Sequence, residues 1–274
     1  EAFSSRDLSE FQVAYLFVDG VAERLHAGMP REAVLCAWGI TEDGRKVLLH
    51  LAPGTKEDTA SCTAFFQDLK RRGLPDPLLA ITDGAPGLVR AVETCFPRAL
   101  RQRCLVHRLR NLCSKAPERQ WPEIAIRARA CYEAASPALA TLLRDDFVHA
   151  YERELPALVK CFLEDFDACI AHLRFPLRHR KAIRTTNLLE RLFLEERRRT
   201  KIIPHAFGER PVLKLMYAAV IRAADRGRGL TVGEFEQRQL RAVREELNHA
   251  HAQRVAPAVV PTPAVSVRKP RGGR

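Results

Sequence analysis

Two short phrases constrain this chain's fold more than anything else in it: Phe17-Val18-Asp19-Gly20 and Ile81-Thr82-Asp83-Gly84. Each is an apolar, β-prone run that ends in an Asp-Gly pair. An aspartate at the exit of a buried strand sits on a sheet edge with its carboxylate free to face a ligand. The glycine beside it lets the backbone turn and leaves room for a large group to approach. Two such carboxylates suit a hard divalent cation, which takes oxygen ligands. With a third acid, the natural chemistry is metal-assisted phosphoryl transfer.

The segments around these phrases set the fold class. Residues 11–18 read as a buried strand, and 33–40 and 45–51 as β-prone runs joined by Thr41-Glu42-Asp43-Gly44, a hairpin signal. Residues 57–72 have helical periodicity with Phe65, Phe66 and Leu69 on one side. A strand is expected over 77–82, a helix over 86–95, a short strand over 98–104 and a helix over 105–115. The order β-β-β-α-β-α-β-α implies an antiparallel meander followed by alternating units, hence a mixed α/β sheet with helices packed on it.

From about 117 to 184 no strand signal remains. Ala, Leu, Arg and Glu recur at helical spacing, punctuated by Pro117, Pro122, Pro137, Pro156 and Pro176. Further helices are expected over 187–200, 209–225 and near 232–250, the last capped within Thr231-Val232-Gly233-Glu234. The division expected is 1–116, a helical block at 117–184, helices at 185–250 and a disordered basic tail at 251–274.

Charge points to the partner. The chain has 45 Lys plus Arg against 33 Asp plus Glu, a net +12, which suits nucleic acid or another anionic surface. Its 8 cysteines form no CxxC and mostly sit in apolar runs, so they read as reduced, buried thiols of a cytoplasmic protein. No apolar run reaches the ~18 residues of a membrane span, and no leader peptide is evident. The chain opens on Glu1 and reaches a strand almost at once, so an N-terminally incomplete protein is expected.

The third acid is Glu190, in Arg184-Thr185-Thr186-Asn187-Leu188-Leu189-Glu190-Arg191. With Asn187 as N-cap, Glu190 occupies the capping-box position, a purely local job. Against that reading, Leu194, Arg197 and Lys201 follow it on one helical stripe, inside the run Arg197-Arg198-Arg199-Thr200-Lys201. A carboxylate heading a row of arginines suits a site that handles a phosphodiester backbone. Read alone, the arginine run is equally a solvated helix face.

The chain resembles the catalytic part of bacterial insertion-sequence transposases of the mutator family, the group related to plant Mutator elements. The resemblance is carried by Tyr15-Leu16-Phe17-Val18-Asp19-Gly20, Ile81-Thr82-Asp83-Gly84-Ala85, Arg103-Cys104-Leu105-Val106-His107-Arg108-Leu109-Arg110-Asn111 and the segment around Glu190, in that order, over about residues 11–225. It implies a ribonuclease H-like fold with an Asp-Asp-Glu triad at Asp19, Asp83 and Glu190, interrupted by a helical insertion before the glutamate. It also implies two Mg²⁺ ions on those three acids, replaceable by Mn²⁺. DNA, as transposon ends and target, would lie on Arg191, Arg197, Arg198 and Lys201. A homodimer or larger assembly on DNA, associated with the bacterial nucleoid and with no membrane, follows from the same resemblance. The family has a longer region before the first aspartate, which is not found here.

Cys104 and His107 have the spacing of half a zinc site without a second half nearby. The family carries this pair as a signature, with a structural role or one in positioning DNA. A buried thiol and a satisfied core histidine explain it as well. Trp121, at the head of the helical block, is either core or a base-stacking aromatic. Two other functions remain open at this level: a nuclease on the same fold, and a DNA-binding remnant without catalysis.

Overall fold

The computed structural model describes residues 3–26, 29–55, 58–200, 208–225 and 229–256. Its centre is a five-stranded mixed sheet built from β1 (Val13–Glu23), β2 (Glu32–Thr41), β3 (Lys46–Pro53), β4 (Leu79–Thr82) and β5 (Leu100–Arg103). The spatial order is β3-β2-β1-β4-β5. The first three strands form the antiparallel meander, while β4 and β5 run parallel to β1. The hairpin turn expected at Thr41–Gly44 is present, and Gly44 takes φ +86°, a conformation that disfavours any residue with a Cβ.

Helices α1 (Thr59–Arg71), α2 (Pro86–Cys95) and α3 (Leu105–Cys113) follow in the order the periodicity required. Asp58 caps α1 by accepting from the amides of Ala60 and Ser61. That helix buries Cys62, Phe65, Phe66 and Leu69 against one sheet face. Strand alternation divides the core. Leu16 and Val18 of β1 belong to the α1–α2 side, whereas Tyr15, Phe17 and Val21 belong to the opposite side.

The segment from Trp121 to Ile183 is helical: α4 (Trp121–Tyr132), α5 (Pro137–Tyr151), α6 (Pro156–Leu163), α7 (Phe166–Ile170), a 3-10 turn (Ala171–Arg174) and α8 (Leu177–Ile183). Tyr132, Phe147, Phe162 and Phe166 form its apolar centre, with Leu105 and Leu112 of α3 packed in. Trp121 lies half-buried against this cluster, the core role of its two readings. Asp165 ties the segment to the sheet, accepting from Arg101 at 2.7 Å and from Arg103 at 3.2 Å. Arg108 is fully buried and reaches the backbone oxygen of Glu164.

The chain then adds α9 (Asn187–Thr200), α10 (Glu209–Asp225) and α11 (Glu234–Val255). Leu189, Leu192 and Phe193 of α9 bury in the same cluster as Tyr15, Phe17 and Ile81, so α9 covers the second sheet face. The cap of α11 is Gly233, inside the segment expected to hold it, and its amide donates to Glu236 at 2.9 Å. The helix also runs on to Val255, past the point where the tail was expected to begin. Residues 257–274 of that tail lie outside the described residues.

Candidate active site

β1 does not end at Asp19. It continues to Glu23, with Asp19 opposite Cys36 and Gly20 opposite Leu35 of β2. What ends near Asp19 is its other neighbour: the last β1–β4 pair is Phe17 with Ile81. Two residues beyond that pair stand Asp19 and Asp83. They therefore follow the last paired residues of two neighbouring parallel strands, at the place where those strands separate. Gly20 thus serves as an ordinary strand residue, contrary to the turn expected of it.

Alternation puts Asp19 on the sheet face of Phe17 and Val21, and its cross-strand neighbour Cys36 belongs to that same cluster. Asp19 is 5 % exposed. Its Oδ1 accepts from the amide of Gly20 at 2.8 Å. Burial pushes the Cys36 thiol far up, and the Asp19 charge adds to the shift. Asp83 is half-buried, and its Oδ1 accepts from the amide of Ala85 at 3.0 Å just before α2 begins.

Gly84 behaves as the Asp-Gly pattern required. It has φ +88°, and a Cβ built there would meet Arg103 Nε at 2.6 Å. The large group for which the glycine leaves room is Arg103, a side chain of the same protein. The arginine lies across the Asp83 turn and is held from behind by Asp165.

Glu190 stands half-buried in the first turn of α9, the helix whose Leu189, Leu192 and Phe193 cover the same sheet face. Thr186 is the residue whose carbonyl accepts the first helical bond, from Glu190 N–H at 3.2 Å. Thr186, not Asn187, is therefore the N-cap, and the capping-box position falls on Leu189. The capping-box explanation for Glu190 is removed. An acid in the first turn is also favoured by the helix dipole.

Cys104 and His107 occupy the junction of these pieces. The Cys104 amide donates to Thr82 O at 2.7 Å, next to Asp83. The Cys104 Sγ accepts from Thr186 N–H at 3.3 Å, at the head of the Glu190 helix. Leu105 N–H donates to Arg184 O at 3.0 Å. Burial pushes the Cys104 thiol up, but hydrogen bonding to His107 and Thr186 outweighs it, so the thiol ends below its ordinary value. Hydrogen bonding to Cys104 raises His107; burial opposes this, and the negative fields of Cys104, Asp19 and Asp83 reinforce it. The imidazole thus lies within the electrostatic field of both aspartates.

Among the described residues, which include Asp19, Asp83 and Glu190, no group of three or more His, Cys, Asp or Glu side chains is placed to hold a metal ion. The pair Asp19 and Asp83 still fits Mg²⁺ by donor chemistry. That ion commonly takes one or two carboxylates and completes its shell with water and substrate phosphate.

The residues assigned to DNA contact separate. Arg191 lines a cleft beside the α9 N-terminus, while Arg197 and Arg198 are exposed further along α9. Burial raises the Glu23 carboxyl above its usual range, and the fields of Arg197 and Arg31 oppose this, so the Arg197 side of α9 faces the end of β1. Lys201 lies outside the described residues. Sequence reading missed Arg103, Asp165 and Thr186 as supports of the site. Arg103 and Thr186 already stood inside the quoted motifs, whereas Asp165 carried no signal.

The family profile described as "Transposase, Mutator family" matches residues 1–226. The transposase for insertion sequence element IS6120 of Mycolicibacterium smegmatis is 31% identical over 229 residues, 84% of this chain and 71% of that protein. The transposase for insertion sequence element IST2 of Acidithiobacillus ferrooxidans is 32% identical over 206 residues, 75% of this chain and 70% of that protein. The transposase for insertion sequence element ISRM5 of Rhizobium meliloti is 31% identical over 223 residues, 81% of this chain and 56% of that protein. No helix among the described residues is long and apolar enough to cross a membrane.

Proposed function

The chain belongs to the Mutator family of transposases, and from that membership we propose that it is the catalytic part of an insertion-sequence transposase that cuts and joins DNA through Asp19, Asp83 and Glu190. One observation carries the reading: Asp19 on β1 and Asp83 just after β4 each stand two residues past the Phe17–Ile81 pair, whose side chains lie on the sheet face that α9 covers. The strand order with an antiparallel meander and two parallel strands supports a ribonuclease H-like fold interrupted by the helices of Trp121–Ile183.

Asp19, Asp83 and Glu190 would supply the carboxylate oxygens for Mg²⁺, or Mn²⁺ in its place. Bound there, the metal would neutralise the reacting phosphate and acidify the attacking water or 3′-hydroxyl. His107, in the field of both aspartates, offsets their repulsion while the site is being filled. Arg103 holds the Asp83 turn, and Cys104 holds the α9 head against it. Arg191, Arg197, Arg198 and Lys201 contact the DNA backbone. Because two element ends must meet, a homodimer or larger assembly on DNA belongs to this proposal.

The test is metal-dependent nicking of an element end and joining of a pre-cleaved end, with wild type, Asp83→Asn and Glu190→Gln. Both variants are expected to lose cleavage and joining while still binding DNA. Wild-type cleavage by Asp83→Asn would overturn the proposal. Cleavage without any joining would instead favour a nuclease on this site.

A further inference from the structure

A cleft of about 550 Å³ opens beside the α9 N-terminus. Five cations line it, Lys46, Arg178, Lys181, Arg184 and Arg191, and no lining residue is acidic. Arg184 is paired with Glu133 at 3.0 Å, and Arg178 lies in the field of Glu236. Among the described residues Lys46, Lys181 and Arg191 form no ion pair. Burial alone pulls the Lys46 ammonium below its ordinary value, the mark of a desolvated cation without a counter-charge.

The floor is apolar, formed by Ile40, Val106, Leu188 and Leu230 over the buried Phe17. Its position relative to the acids is set by the chain. Phe17 is two residues before Asp19, Val106 adjoins His107, and Leu188 and Arg191 bracket Glu190. The cleft therefore leads away from the candidate active site.

We propose that this cleft holds an unpaired stretch of DNA strand, one or two nucleotides next to the phosphate being cut. The inference rests on the proposed transposase reading and adds the state of the substrate. Three arguments lead to it. Uncompensated Lys and Arg side chains recognise phosphate. An apolar floor between them accepts a base face or a sugar, as in sequence-tolerant single-strand binding. The volume matches an enclosed molecule of drug size, which a nucleotide is and a duplex is not. The strand must accordingly leave its partner before it lies along the cleft.

The experiment measures binding by fluorescence anisotropy in chelator, so that no cleavage occurs. The probes are a single-stranded oligonucleotide of about ten nucleotides and a duplex of the same sequence. The variants are Lys46→Ala/Lys181→Ala and a control of equal charge change, Arg119→Ala/Arg153→Ala, at exposed positions on and beside the helical segment. The cleft variant is expected to lose at least about tenfold in single-strand affinity and to flatten the log-salt slope by about 1.4, roughly 0.7 per cation. Its duplex affinity should change less than about threefold, and the control should show no such difference between probes. Equal loss on both probes, or unchanged single-strand binding, overturns the proposal.

A second measurement needs no variant. Photocrosslinking wild type to an oligonucleotide carrying 5-iodouracil should mark the peptide 177–191. Adducts confined to other segments overturn the proposal as well. Cleavage is scored separately: if Asp83→Asn still cuts, the catalytic reading fails while the cleft result stands, and the reverse outcome removes the cleft alone.

Discussion

The backbone N–H of Thr186 donates to the Sγ of Cys104 at 3.3 Å, across 82 residues of chain. The contact joins the end of the segment that carries Asp83 to the first turn of the helix that carries Glu190. Cys104 is fully buried, and its own amide is spent on Thr82. A signature that looks like half a metal site therefore works in this fold as a clasp between two acids.

Cys104→Ala leaves the Thr186 amide buried without its acceptor, which costs about 1–3 kcal/mol. Chemical denaturation should show a loss of that size. Cys104→Ser, with an oxygen acceptor, should recover part of it and part of the cleavage activity. If both variants match wild type in stability and cleavage, the clasp has no role.

Gly84→Ala should disable the Asp83 turn from two directions. Its φ of +88° strains any side chain, and its Cβ would meet the Arg103 guanidinium. A destabilisation of about 1–3 kcal/mol is expected, with cleavage reduced further than stability alone explains. Adding Arg103→Ala should relieve the contact but not the backbone strain, so the double variant regains less than the full loss. Additive losses in the double variant would show that the two residues do not press on each other.

Stability should fall in mild acid through two buried histidines. Burial pulls His50 down to about 4; Arg72, against its Nδ1 at 3.5 Å, acts the same way, and Asp68 opposes them. Burial likewise pulls His172 down to about 4, aided by the Arg184 and Arg180 charges. Both folded values lie below the unfolded value of about 6.5, so between the two the unfolded chain binds more protons. Stability is fully present above about pH 6.5 and drains as pH drops, by up to about 3 kcal/mol per histidine near pH 4. Denaturation curves across this range check it. His172→Asn should remove about half of the slope, and a slope unchanged in His172→Asn and His50→Gln would refute the assignment.

Arg197→Ala and Arg198→Ala should each weaken duplex binding equally on all sequences. The log-affinity against log-salt slope should flatten by about 0.9 per arginine lost. A salt titration on an element-end duplex and a scrambled duplex reads this directly. A sequence-dependent loss would mean that these side chains read bases.

The sequence by itself determined the sheet and singled out the three acids as candidates. Apolar runs of period two and helices of period 3.6 are local properties, so β-β-β-α-β-α-β-α could be read from Val13 to Cys113 without a structure. Asp19 and Asp83 stood out because Asp-Gly after an apolar run is a local pattern as well. Tertiary structure alone decided the rest. The pairing of Phe17 with Ile81 places both aspartates two residues beyond it, and a shift by one residue would have broken that match. Whether Glu190 falls at the capping-box position was set by Thr186 heading the helix, where Cys104 accepts its amide, a contact that no local window contains. Arg103 over Gly84, Asp165 behind Arg103, and the cations gathered from Lys46 to Arg191 are likewise encounters between distant segments. Periodicity fixes which face a residue takes on its own element, but only packing fixes what that face meets.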